Sequence, residues 1–455
     1  MPVQSVRLLA LTVLFLAGWL LSPARESKGG NLKAVRYAAA QTQLPVFPGA
    51  RGFAAFTPAG SGRHTPSPRS ALFIVSNLNS AGPGSLREAL EARTPRTVVF
   101  AISGVIDMRG PVKIRNPYLT VAGQTAGGQG ITVVTERFEV ATHDVLLQDF
   151  AIFIGDRPGL TKPSERDGIV LNGERSPVYN VMIYRLLIEG AIDENFSTYK
   201  KVRNVTIDSS IIANSLNRSM HSKGEHGKGI LIGDGTQSIS IVGSLLSCNH
   251  DRNPRVKQGA SIEFINNVVY GWGGRTGWNV FNISGERKKD RPVLASIIGN
   301  LYIPGPHGRS DIPILYPKGL IKGSRVFMRD NLMLASTRML EGNRAERPPF
   351  SISWDSEPFG GSGIFPLPVD QLWDHVSKNV GPSPSRRAKR VKDIIDEVQS
   401  RKGRLKNKVG KKRSGALPFP DYRSRGSDLR LPPHPNAVNP ATGYTELETY
   451  LHSFG

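Results

Sequence analysis

The sequence predicts an all-β stacked fold, a β-solenoid of parallel strands, and three observations carry that reading. A unit of apolar strand, polar or Asn-containing corner and second apolar strand recurs seven times: Val145–Ile152, Val181–Ile188, Val205–Ile212, Ile239–Leu246, Ile262–Val269, Ala295–Tyr302 and Val326–Met333. The copies start 23 to 36 residues apart, and no helical crossover of about 10–15 periodic residues lies between them, which argues against a doubly wound sheet. The tight hairpins at roughly 8–12-residue spacing that join the strands of a sandwich are missing too. Short strands that cannot bury an inner face alone must stack, so at least six coils of parallel β-helix are expected between about residues 95 and 340.

Taken in chain order, the first element is a targeting segment. Arg7 precedes a largely apolar run of 14 residues, Leu8 to Leu21, followed by Ser22-Pro23-Ala24. That run suits a secretory signal and falls short of the roughly 20 residues that span a bilayer. Residues 1–24 are therefore expected to be a signal peptide, with an uncleaved anchor as the alternative, and residues 25–46 a linker. The mature body, residues 47–340 followed by an extension at 341–455, is expected to be secreted or periplasmic, monomeric and without stable membrane insertion. Near its start, Ser85-Leu-Arg-Glu88 has the form of a capping box, opening a short helix that would cover an end of the solenoid. The extension is Pro-rich, then basic and helical, and is expected to pack on or trail the β-helix.

Composition restricts the partners. The single cysteine, Cys248, excludes an intrachain disulfide, and a large core removes the need for one. The formal charge is +22, but residues 386–413 hold 13 Lys and Arg against 3 Asp and Glu, an excess of 10 that is nearly half of the total. A run of this kind reads as the outer face of a helix or a tail. Net charge alone would also admit a nucleic-acid partner, but no binding module accompanies it, whereas an exported basic protein meets polyanionic glycans.

Four polar clusters fall at the coil corners. Glu165-Arg-Asp167 precedes one strand, and Asp193-Glu194 lies 26 residues after Asp167, about one coil away. Coils stack at about 4.8 Å, so carboxylates on neighbouring rungs can converge on a hard cation such as Ca2+. The other two clusters are His221-Ser-Lys-Gly-Glu-His226-Gly-Lys228 and Asn249-His-Asp-Arg252-Asn-Pro-Arg-Val-Lys257, with Lys228 and Arg252 24 residues apart. The bland alternatives are a solvated acidic loop and a surface basic patch. The two histidines could also be zinc ligands, though no H-E-x-x-H pattern or Cys pair accompanies them.

These motifs together resemble the pectate lyase family, from about Phe47 to the C-terminus. Phe47-Pro-Gly-Ala-Arg-Gly-Phe53, the Asn77–Glu88 stretch, Gly123-Gln-Thr-Ala126, His226-Gly-Lys-Gly-Ile-Leu-Ile-Gly233, Arg252-Asn-Pro-Arg-Val-Lys257, Asn266-Asn-Val-Val-Tyr270 and the closing Gly443–Gly455 segment follow in the family's order. The resemblance implies a right-handed parallel β-helix that cleaves polygalacturonate, or a related uronan, by calcium-assisted β-elimination. It implies Ca2+ on Asp167 and Asp193 with Glu165 and Glu194 as helpers, Arg252 as proton acceptor, and Lys228 and Lys257 beside it. Lys223, His226 and Arg255 would contact substrate. The second arginine of the family's R-x-P-x-x-R element is Lys257 here, and an ammonium cannot make the bidentate fork to a carboxylate. A non-catalytic glycan-binding β-helix is the rival reading.

Overall fold

Strand alternation and the absence of long helical periods dictate what the chain does from residue 71 onward: it coils. A computed structural model describes residues 44–65, 69–273, 291–306, 323–334, 357–383, 387–410 and 416–454, together with four strand backbones at 281–284, 314–315, 339–340 and 353–354. The expected signal peptide and most of the linker lie outside the described residues. Each full coil has three strands, for example Lys228–Ile232, Gln237–Val242 and Leu245–Ser247, followed by Arg255–Lys257, Ser261–Ile265 and Val268–Tyr270 one rung on. The strands of successive coils pair in parallel, so the three positions form a first, second and third face running the length of the stack.

The seven repeats lie directly over one another. Val145 pairs with Val181, Val181 with Val205, Val205 with Ile239, Ile239 with Ile262, Ile262 with Ala295 and Ala295 with Val326. This register puts the inward residues of every rung into one core, where Val121, Leu147, Ile183, Ile207, Ile241, Phe264 and Ile297 are essentially inaccessible. The antiparallel pairs among the described strands are confined to Asn331–Leu340 and Ile102–Gly426.

The corner between the second and third faces is short and uniform. Asp149, Arg185, Ser209, Gly243, Asn266, Gly299 and Asp330 all adopt positive φ there, between 49° and 62°, and glycine, Asn and Asp tolerate this best. Just after the corner runs an internal ladder. Backbone N–H groups of Leu186, Ser210, Ser244, Asn267 and Asn300 donate to the side-chain oxygens of Ser210, Ser244, Asn267, Asn300 and Asn331 respectively, at 2.8–3.1 Å.

Four α-helices among the described residues cover the stack. Helix α1, Leu86–Glu91, adds Leu86, Ala89 and Leu90 to the main core beside the first strands. Its cap differs from the expected box: Ser85 accepts the Glu88 N–H, but Glu88 accepts from Gly84 rather than from Ser85. A reciprocal capping box does occur at Thr445 and Glu448, opening helix α4, Glu446–His452. Helices α2, Val369–Asn379, and α3, Lys389–Gln399, bury Leu372, Val376, Ile394 and Val398 against Leu187, Ile211, Leu245 and Val268 on the outside of the third face. The basic stretch is thus an amphipathic lid on a sheet, tied down where Arg390 forks onto buried Glu189 at 2.7–3.1 Å. No helix among the described residues is long and apolar enough to cross a membrane.

Candidate active site

The corner between the third and first faces is long and irregular, and the polar clusters of the sequence meet there. Asp167 lies two residues before Ile169, which pairs with Phe196. Glu194 lies two residues before Phe196 and pairs with Lys228 one rung further. Lys228 in turn bridges to Asp251. Asp167, Glu194 and Lys228 therefore climb the same edge of the first face. Asp193 is one residue out of this register, yet Asp167, Asp193 and Glu194 each offer an oxygen within 4.8 Å of the others.

Burial and charge set the state of this cluster. Asp167 is 9% exposed and accepts a hydrogen bond from Ser197 at 2.5 Å. Burial, reinforced by the Asp193 charge, pushes its carboxyl up to about 7 despite Ser197 and two arginines. Burial also opposes the ionisation of Asp193, but His226, Arg252 and His221 outweigh it and hold this carboxyl below its ordinary value. The Arg252 guanidinium contacts Glu194 directly and stands 3.9 Å from Asp193. Burial lowers the Arg252 pKa, the Asp193 charge resists, and Arg255 adds to the lowering. Beyond these ion pairs and the approach of His226 Nε2 to Asp193 Oδ1 at 3.0 Å, buried Asp193 Oδ1, Glu194 Oε1 and Arg252 Nε make no further hydrogen bond, so oxygen donors of the hard type lie together with capacity for a cation. That donor set fits a calcium-class cation.

The other expected site residues are distributed differently. Lys228 is buried and donates to Asp251, a member of the fourth cluster to which the motifs assign no role, at 3.0 Å. Arg255 sits on the first face opposite Leu231, close enough to Arg252 to influence its charge. Lys257, expected beside Arg252, is over one-third exposed and paired with Asp234 at 2.5 Å, two residues beyond Arg255 on the same strand. Glu165 is also displaced, lying in a short 3-10 turn, 54% exposed and 3.9 Å from Arg137. Lys223 is exposed, and its backbone N–H, not its ammonium, makes the local bond, to His221 Nδ1 at 3.0 Å. His226, expected to contact substrate, is buried, stacked on His221 and 3.0 Å from Asp193. Ser197 joins the site with no motif of its own, whereas His221, in the sequence only a possible zinc ligand, joins it 3.4 Å from Asp193.

Two features surround the cluster. An internal amide chain, Asn195 to Asn249 at 2.9 Å and Asn249 to Asn253 at 3.1 Å, ties the corner before Phe196 to the corner after Ser247. Toward the N-terminus the same corner opens into a polar cleft lined by Asp107, Arg109, Glu136, Arg157 and Arg166.

Known proteins share this chain's sequence and shape. The protein named probable pectate lyase C from Neosartorya fischeri is 37% identical over 272 residues, 59% of this chain and 57% of the relative. Its namesake from Aspergillus terreus is 35% identical over 263 residues, 58% of this chain and 55% of the relative. The matched stretch thus spans little more than half of these relatives' own length. No family model matches the chain. Among solved structures, a pectate lyase bound to a hexasaccharide superposes on 76% of this chain and 100% of its own, with TM-score 0.54 and 13% identity. The major allergen from cedar pollen does so over 73% and 92%, with TM-score 0.53 and 12% identity. At such identities the structures establish the shared fold, the right-handed parallel β-helix, and the sequence relatives establish homology to proteins named pectate lyase.

Proposed function

We propose that this homologue of the pectate lyases is itself a polysaccharide lyase, cleaving α-1,4-linked polygalacturonate by calcium-assisted β-elimination. The observation that carries the reading is the meeting of Asp167, Asp193 and Glu194 within 4.8 Å of one another, with a buried arginine in contact with Glu194. Asp167, Asp193 and Glu194 would hold the ion, which supplies positive charge to bind a uronate carboxylate and stabilise the enolate-like charge that develops on it. Arg252 takes the proton from C5. The C5–H electron pair becomes the C4–C5 double bond as the C4–O bond breaks and the departing sugar leaves with that oxygen. Arginine is a rare base, because its pKa is ordinarily above about 12; burial and the neighbouring Arg255 push it in the useful direction. Lys228 and Arg255 supply positive charge for uronate carboxylates, and the cleft around Arg109 and Arg157 lengthens the surface open to a polymer. A polymeric substrate places the working protein outside the cytoplasm, in line with the expected export segment.

The test is absorbance of the unsaturated uronide during incubation with polygalacturonate, with calcium and with chelator. Product formation that stops with chelator and returns with calcium is expected. Binding of polygalacturonate without any unsaturated product would reject the lyase and leave a glycan-binding protein.

A further inference from the structure

We propose that His221 and His226 form a positioning pair that fixes the Asp193 carboxylate for cation binding, and are neither metal ligands nor substrate contacts. The inference rests on the calcium reading above and assigns two residues that the ligand set does not include. Both histidines sit on the long connection between the strand Ile211–Ala213 and the strand Lys228–Ile232. Their rings stack with centroids 3.9 Å apart and 18° between planes, so neither turns freely without the other. The Nε2 atoms reach different oxygens of one carboxylate: His226 stands 3.0 Å from Asp193 Oδ1 and His221 3.4 Å from Oδ2. Side-chain exposure is 1% for His221 and 9% for His226, which leaves little edge for a polymer to touch.

Two imidazoles and a carboxylate within 4.8 Å also have the composition of a zinc-class site. One hydrogen bond decides against that use. The Lys223 N–H donates to His221 Nδ1 at 3.0 Å, so Nδ1 is the acceptor and the neutral ring carries its proton on Nε2. A metal at Nε2 would need that lone pair, and a metal-bound imidazole normally donates its other N–H to an acceptor. His221 therefore shows Asp193 a proton, not a lone pair.

The loop behind the pair is anchored from outside the coils. The His226 N–H donates to the Asn217 carbonyl at 2.9 Å, and the Asn217 N–H donates to the Lys406 carbonyl at 2.8 Å. Leu216 and Lys406 form a parallel bridge at the same point. The C-terminal extension thereby sets the loop, the loop sets the imidazoles, and the imidazoles hold Asp193 apart from Arg252, which has closed on Glu194. Without them the Asp193 carboxylate would be free to collapse onto the guanidinium as Glu194 does.

The experiment measures cation affinity in the full chain, with terbium(III) luminescence and calcium calorimetry as the probes and thermal melting as the fold control. His226→Ala should weaken terbium and calcium binding by about 10–100-fold, and His221→Ala should weaken it less. His226→Gln, whose amide nitrogen replaces Nε2, should recover most of the loss, and it keeps the test open if the alanine variant misfolds. In polygalacturonate assays the calcium concentration for half-maximal rate should rise in these variants, while KM for polymer at saturating calcium stays put. Folded alanine variants that bind calcium as the wild type does would overturn the positioning role and leave the calcium reading standing. Zinc binding tighter than calcium in the wild type, lost in His226→Gln, would overturn it by making the imidazoles ligands. A wild-type protein that binds neither terbium nor calcium would overturn the calcium reading, and the positioning role with it.

Discussion

The corner between the second and third faces and the corner between the third and first are built from the same coils, yet they treat buried polar groups in opposite ways. At the first, Asn267, Asn300 and Asn331 are wholly inaccessible, and each amide donates to a backbone carbonyl of a neighbouring coil at 2.8 Å. At the second, Asn214 Oδ1, Ser215 Oγ and Ser247 Oγ are buried with no hydrogen-bond partner, and Asp193 and Glu194 are met only by the ion pairs with His221, His226 and Arg252. A leftover buried polar atom costs about 1–3 kcal/mol, so a stack of coils can tolerate many only where the rest of the molecule is over-determined or a ligand will use them. Repetition satisfies polar groups because each rung offers the next the same geometry. Irregular loops break that symmetry and leave bonding capacity behind, which is what a binding site needs.

The contrast breaks down if function and stability are not separable between the two corners. The largest expected effect is on function alone: Arg252→Lys should lower the β-elimination rate by about 10²–10⁴, with circular dichroism and melting unchanged. Comparable melting loss in that variant would show that the site corner also holds the fold together. The mirror-image change is Asn300→Ala, which strands the Asn267 N–H, the Phe264 carbonyl and part of Asn331. Denaturant unfolding should show a loss of roughly 3 kcal/mol, with kcat on polygalacturonate retained at temperatures where the variant is folded.

A pH experiment sharpens the comparison, since the ladder contains no titrating group. The Asp167 carboxyl is raised in the folded state from 3.8 to about 7, so the native protein holds that proton more tightly than the unfolded chain does. Its favourable contribution is fully present below the unfolded value and is lost as pH rises through about 7. In chelator, stability should therefore decline between about pH 4 and 7, and Asp167→Asn should flatten that decline. Melting curves across this range, with and without calcium, check it; a calcium-free profile identical in both proteins would remove Asp167 from the account. The smallest effect belongs to Lys257→Arg. Its ion pair with Asp234 is exposed and worth less than about 1 kcal/mol, so kcat/KM should move by less than about fivefold. A larger gain would mean that Lys257 reaches substrate after all.

Much of the coil architecture and half of the site are legible in the amino-acid sequence alone. Strand periodicity is local, and a seven-fold repeat leaves few folds open, so even the register of Val145 over Val181 over Val205 follows from aligning the repeats. Asp167, Glu194, Lys228 and Arg252 stand out because their one-coil spacing converts sequence distance into a rung of the stack. Tertiary structure alone decided the rest. Whether Lys257 or Arg255 neighbours Arg252 depends on strand alternation, which sends residues two apart to the same side of the face but at different distances from the corner. Glu165 falls outside the cluster because a 3-10 turn places it there, and His226 enters it as a buried neighbour of Asp193 because the 214–227 loop is held by Lys406, nearly 190 residues later in the chain (406 − 217 = 189). Contacts of that sequence separation leave no periodic trace, since nothing in the local pattern of either segment records the other; only the closed packing of the extension against the coils brings them together.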